Sequence, residues 1–230
     1  MKHDKLVGVL GGMGPHATVD FFAQLVRLTP AEKDWDHLHI IVDNNPRMPS
    51  RSRAYLHGEA SPVPDLIAGA QRLVAAGAQL IAVPCNSAAY FLEEVRAAVP
   101  VPVLDPVAAT VAVVRVEQRP LVLGGAVTHG ADLYGKHLPQ RVRPTDTEQD
   151  EVVALIEALK HLDTSDAVVA RVEALVAAGL ARGADSVILG CTEFGLIADR
   201  VADGRVPVFN SNELLARHTV ALARTPATGS

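Results

Sequence analysis

Ala76-Gly77-Ala78-Gln79-Leu80-Ile81-Ala82-Val83-Pro84-Cys85-Asn86-Ser87-Ala88 is the stretch that decides the fold, because its pattern returns later in the chain. The second copy reads Arg182-Gly183-Ala184-Asp185-Ser186-Val187-Ile188-Leu189-Gly190-Cys191-Thr192-Glu193. Each copy leads from a glycine-containing turn into a buried apolar strand and ends in a cysteine. The two cysteines are 106 positions apart. Two more landmarks recur in the same order. Gly11-Gly12 reappears as Gly124-Gly125, offset by 113, and Val101-Pro102-Val103-Leu104-Asp105-Pro106 reappears as Val206-Pro207-Val208-Phe209-Asn210-Ser211, offset by 105. Three landmarks in order at nearly one offset argue for an internal duplication.

Outward from these landmarks, short apolar runs alternate with amphipathic segments of helical length. Strands are expected at Leu6–Leu10, Leu38–Val42, Leu80–Val83, Pro102–Leu104, Leu121–Leu123, Val187–Leu189 and Val206–Phe209. The clearest helical periodicities lie at Leu66–Ala76, Glu151–His161 and Ala167–Ala181. Such alternation predicts an α/β fold with mostly parallel sheets flanked by helices. With the duplication, it predicts two pseudo-symmetric α/β domains and a cleft between them. The first comprises residues 1–106 plus 210–230, and the second residues 107–209. The helix after Asn210 is expected to pack back on the first half, and Thr225–Ser230 to be disordered.

The 230 residues are 49% hydrophobic, enough for one large core or two small ones. A net charge of −5, scattered basic residues and 4% aromatics exclude a nucleic-acid binder. Two cysteines are too few for a disulfide scaffold. No apolar run approaches membrane-spanning length, and the charged start, Met1-Lys2-His3-Asp4-Lys5, does not introduce a signal peptide. A cytoplasmic location with reduced thiols is expected.

In open α/β sheets, ligands bind beyond the carboxyl ends of the strands, which is where both cysteines fall. Each is also expected to start a helix, whose free N–H groups and dipole would lower the thiol pKa and hold a carboxylate. Two opposed thiols suit inversion of a stereocentre. One removes a Cα proton, and the other returns a proton to the opposite face. A disulfide between them is the alternative, which a reducing compartment disfavours. Gly11-Gly12-Met13-Gly14-Pro15 reads as a tight turn lining the cleft, since it lacks the spacing of a nucleotide-binding loop. After the second strand, Arg47, Arg51 and Arg53 are candidates for pairing with a substrate carboxylate. The nine histidines form no metal motif, and no lysine sits in a context suggesting a pyridoxal Schiff base.

Taken together, Gly11-Gly12-Met13-Gly14-Pro15 with Ala17-Thr18, Asn44-Asn45-Pro46 with Pro49 and Arg51, Pro84-Cys85-Asn86, and Gly190-Cys191-Thr192-Glu193 resemble the cofactor-independent aspartate/glutamate racemase family over nearly the whole chain. The resemblance implies a homodimeric enzyme whose only partner is a small amino-acid substrate, with Cys85 and Cys191 as the acid/base pair. It implies Arg51 and Lys160 as the holders of a side-chain carboxylate. Asn86, Ser87, Thr128 and Thr192 would bind the α-carboxylate and amine, and Met13 and Glu193 would complete the site. Aspartate is the first expectation, because Arg51 and Lys160 are both present; glutamate or another amino acid is the alternative. Ser50, Ala89 and Asn210 depart from the aspartate-racemase pattern, which has an acid, a His and an Asp there. These departures keep related reactions open, namely arylmalonate-type decarboxylation, maleate-type isomerisation and hydantoin racemisation, as well as a non-catalytic amino-acid binder. Glu193 beside Cys191 would raise that thiol's pKa, which points to Cys85 as the resting base and Cys191 as the resting acid.

Overall fold

A computed structural model describes residues 4–201 and 204–224. Thr225–Ser230, the expected tail, lies outside the described residues. The chain runs β1 (Val7–Gly11), α1 (Pro15–Leu28), β2 (Ile40–Asn44), α2 (Arg51–His57), α3 (Val63–Ala75), β3 (Leu80–Ala82), α4 (Leu92–Ala98), β4 (Val103–Leu104) and α5 (Pro106–Val111). It continues through β5 (Pro120–Gly124), α6 (Ala126–Gly130), α7 (Asp146–Lys160), α8 (Asp166–Ala181), β6 (Ser186–Gly190), α9 (Ala198–Val201), β7 (Val208–Asn210) and α10 (Ser211–Ala223). Every strand expected from the sequence forms, with bounds shifted by one or two residues.

The strands make two all-parallel sheets, ordered β2-β1-β3-β4 and β5-β6-β7. The repeated landmarks map strand for strand. β1 answers to β5, each ending at a Gly-Gly pair; β3 answers to β6, each leading to a cysteine; and β4 answers to β7. Even β2 has a trace of a counterpart, for Val142 forms a parallel bridge to Leu121 of β5.

Every residue of β1, β5 and β6 is buried, as expected of strands covered on both faces. Successive side chains on a strand point to opposite faces, so each sheet serves two cores. Val7 and Val9 pack with Phe21, Leu25, Leu215 and Val220 of α1 and α10. Leu10 faces the other way, toward Leu66, Leu73 and Leu92 of α3 and α4. In the second sheet Leu121, Leu123, Val187 and Leu189 meet Leu155, Leu159 and Val172 of α7 and α8. Val122 and Ile188 meet Val107, Tyr134 and Leu138. Thus α10, last in sequence, packs against the first sheet, as expected.

Two expectations need correction. Helix α7 starts at Asp146, not near Glu151, because Thr145 and Glu148 form a capping box that holds a polar first turn. The cysteines do not start α-helices. Each is followed by a short 3-10 segment, Ser87–Phe91 or Thr192–Ile197. Such tight turns align few N–H groups and carry little dipole.

Candidate active site

Both thiols open onto one cavity of about 220 Å³ at the carboxyl ends of the two sheets. That is smaller than the roughly 300–1,000 Å³ typical of sites for drug-sized ligands, so it holds a single small molecule. Cys85 arrives by a tight turn after β3, its N–H donating to the Val83 carbonyl at 2.7 Å, and it is buried. Cys191 directly follows β6 and is half-buried.

The surroundings of the two thiols differ. Cys191 Sγ donates to Glu193 Oε2 at 2.9 Å. Glu193 is itself buried, and its other oxygen lies against Gly14, where an added Cβ would come within 3.2 Å of Oε1. The glycine-rich turn of the first half therefore makes room for a carboxylate from the second. Cys85 instead has the Arg51 guanidinium beside it. Arg51 is the first residue of α2, which is capped by Ser50 accepting from the Arg53 N–H. Its Nη1 donates to the Pro49 carbonyl at 3.0 Å, while its Nε is buried with no hydrogen-bond partner.

Burial raises both thiol pKa values. At Cys85 the Arg51 charge pulls back against burial. At Cys191, Glu193 adds to it, by charge and by accepting the thiol proton, and the thiol is pushed well above its ordinary value. The net lowering expected from helix N-termini does not occur, although the Ala88 N–H at Cys85 and the Glu193 N–H at Cys191 pull in that direction. The segments that follow are 3-10 turns, and desolvation of a thiolate outweighs them.

Lys160, the last residue of α7, points into the same cavity with Nζ donating to Glu157 Oε1 at 2.5 Å. Burial pulls the lysine pKa down, but Glu157, with Glu193 and Cys191, more than offsets this and raises it. Met13, Asn86, Ser87 and Thr192 also line the cavity. Ser87 reaches toward the second half, where a Cβ on Gly125 would lie 3.9 Å from its Oγ. The Thr192 hydroxyl makes a long 3.5 Å contact with Glu193 Oε2.

Thr128 is not brought to this cavity. It is buried, its hydroxyl donates to the Gly190 carbonyl at 3.4 Å, and its methyl fills the space that a Cβ on Gly124 would need. Thr18 does the same for Gly11 in the first half, so the two Gly–Thr pairs are matching braces behind the strand ends.

The chain matches the Asp/Glu/hydantoin racemase family over residues 10–219. It belongs to that family. It is 30% identical over 224 residues to the broad-specificity amino-acid racemase RacX of Bacillus subtilis, spanning 94% of this chain and 97% of the relative. Its fold superposes on the aspartate racemase of Picrophilus torridus with a TM-score of 0.82 at 29% identity, covering 95% and 94% of the two chains. An aspartate racemase homologue from Pyrococcus horikoshii gives 0.74 at 26% identity, covering 96% of this chain and all of the other. The protein is thus an enzyme of a racemase family, and the described residues contain no helix long and apolar enough to cross a membrane.

The residues that depart from the racemase pattern have definite places. Ser50 caps α2. Asn210 caps α10, accepting from the N–H groups of Asn212 and Glu213, as Asp105 caps α5. Both side chains cap well, so Asn serves at a position where Asp is usual. Ala89 lies on a separate cavity with Arg96 and Val107, away from the thiols. Sequence reading missed Val153, Ile156 and Glu157 as lining residues. The signal was present, since with Lys160 they occupy one face of α7 at helical spacing.

Proposed function

We propose that this racemase interconverts the enantiomers of an acidic amino acid, aspartate first, by two-base proton transfer between Cys85 and Cys191 without pyridoxal phosphate or another cofactor. The observation that carries the reading is that both thiols line one small cavity together with Arg51 and Lys160. In the direction favoured by the neighbouring charges, Arg51 beside Cys85 and Glu193 beside Cys191, Cys85 in its thiolate form takes the Cα proton. The Cα–H electron pair passes into the substrate carboxylate as an enediolate, and the Cys191 S–H protonates the opposite face. The enzyme then holds a Cys85 thiol and a Cys191 thiolate, and reverse turnover or solvent exchange restores the starting state. Donors fixed around the developing charge lower the barrier. The unpartnered Arg51 Nε supports a carboxylate ligand there, since a buried donor gains most from an ionised acceptor.

A second reading is broader specificity, as in the Bacillus relative. It is favoured by the Glu157–Lys160 contact, because the charged lining residues are two cations and two carboxylates, Arg51 and Lys160 against Glu157 and Glu193. The family resemblance further suggests a cytoplasmic homodimer. The apolar outer face of α1, with Val19, Phe22 and Val26 exposed, supports a second copy as its cover. Chiral analysis of L- and D-aspartate incubations, alongside glutamate and neutral and basic amino acids, tests the reading. Inversion of aspartate that is lost in both Cys85→Ala and Cys191→Ala is expected. No inversion of any amino acid in the panel would refute it, and loss in one variant alone would point to a one-thiol reaction.

A further inference from the structure

A buried chain of hydrogen bonds links the backbones that carry the two thiols. The Tyr134 hydroxyl donates to Asn86 Oδ1 at 2.7 Å, Asn86 Nδ2 donates to Ser211 Oγ at 2.9 Å, and the Ser211 hydroxyl donates to the Leu189 carbonyl at 2.7 Å. Asn86, Tyr134 and Ser211 are all buried. The three links run in one direction, each donor with an acceptor.

The placement of these residues matters more than their number. Asn86 directly follows Cys85. Leu189 is two residues before Cys191. Tyr134 touches both sides, for its ring edge lies where a Cβ on Gly190, the residue before Cys191, would come within 3.3 Å of Cε2. One side chain therefore abuts the residue preceding one thiol and holds the side chain following the other. An amide has two N–H groups. With one committed to Ser211 and the carbonyl committed to Tyr134, Asn86 cannot rotate, and its second N–H stays directed by the network.

We propose that Tyr134 is a positioning residue for racemisation, which acts through Asn86, with Ser211 as the second leg, to fix the separation and facing of the Cys85 and Cys191 thiols. The proposal rests on the two-thiol reading of the site. Burial holds the Tyr134 phenol far above its ordinary pKa, so it stays a donor at every working pH. Two-base inversion needs both thiols aligned with one Cα, whereas proton removal needs only one. Small misplacements of reacting groups lower rates by up to about a hundredfold, and here that penalty falls on delivery of the second proton.

The test is racemisation in D₂O, with solvent deuterium scored separately in the inverted product and in the unconverted enantiomer. Tyr134→Phe removes one oxygen and leaves the ring against Gly190. Ser211→Ala cuts the other leg and carries the same test should the first variant fold poorly. The expected result in both is inversion reduced roughly ten- to a hundredfold, while deuterium entry into the unconverted enantiomer rises relative to inversion. The carbanion then waits longer on one face and is returned to it. Exchange and inversion reduced by the same factor, or an unchanged ratio, would overturn the proposal while leaving the two-thiol reading intact. A wild-type chain that inverts no amino acid overturns that reading and the proposal with it.

Discussion

Replacing Glu193 with Gln removes one negative charge beside Cys191 and leaves an oxygen that can still accept the thiol proton. The charge sits 2.9 Å from Sγ. At that distance two unit charges interact by about 1.4 kcal/mol at the dielectric of water and about 6 kcal/mol at an effective dielectric near 20. Cys191 is half-buried, so solvent screens part of that interaction, and the thiol pKa is expected to fall. The assay is the pH dependence of Cys191 alkylation by iodoacetamide in a Cys85→Ala background, followed by mass spectrometry. The midpoint should move to lower pH in Glu193→Gln. A midpoint that stays put or moves upward would refute the claim that the carboxylate holds Cys191 protonated. In the intact enzyme the same substitution should erode the difference between the thiols, slowing the direction in which Cys191 donates.

The remaining predictions follow from the same geometry. Arg51→Gln should move the Cys85 alkylation midpoint the opposite way, to higher pH, because the cation that offsets burial is gone. If Cys85 is the resting base, kcat/KM in that direction should rise with pH toward its raised pKa, measured in the wild type across the alkaline range. Both thiols have folded-state pKa values above the ordinary 9.0. Their contribution to stability is thus present below that value and lost as pH rises through it. Denaturant titrations should show alkaline destabilisation that the Cys85→Ser/Cys191→Ser double variant lacks. Gly12→Ala should destabilise by about 1–3 kcal/mol or more, since φ is +95° and its Cβ would lie 2.4 Å from the Asn45 backbone; thermal unfolding measures this. Phe22→Lys on the exposed face of α1 should lower the sedimenting mass to that of a single chain if α1 forms the homodimer contact.

By itself the sequence determined the parallel α/β plan, the duplication, the seven strands and the placement of one cysteine beyond each matching strand. These are local properties. Burial on both faces writes a continuous apolar run, and a duplicated strand–turn keeps its motif whatever surrounds it. Tertiary structure decided the character of the thiols beyond the Glu193 effect on Cys191, which a separation of two residues made legible. The local reading expected helix dipoles to lower both pKa values, yet burial in the folded chain raises them. Only the folded chain sets Arg51 beside Cys85, about a third of a domain away in sequence, and leaves Glu193 room against Gly14. It likewise turned Thr128 into a brace behind β5 and committed Asn86 to Tyr134 and Ser211, partners 48 and 125 residues distant. The physical reason is that a side chain's protonation and hydrogen bonding depend on which atoms lie within a few ångströms, and at this site many of those atoms come from segments distant in the chain.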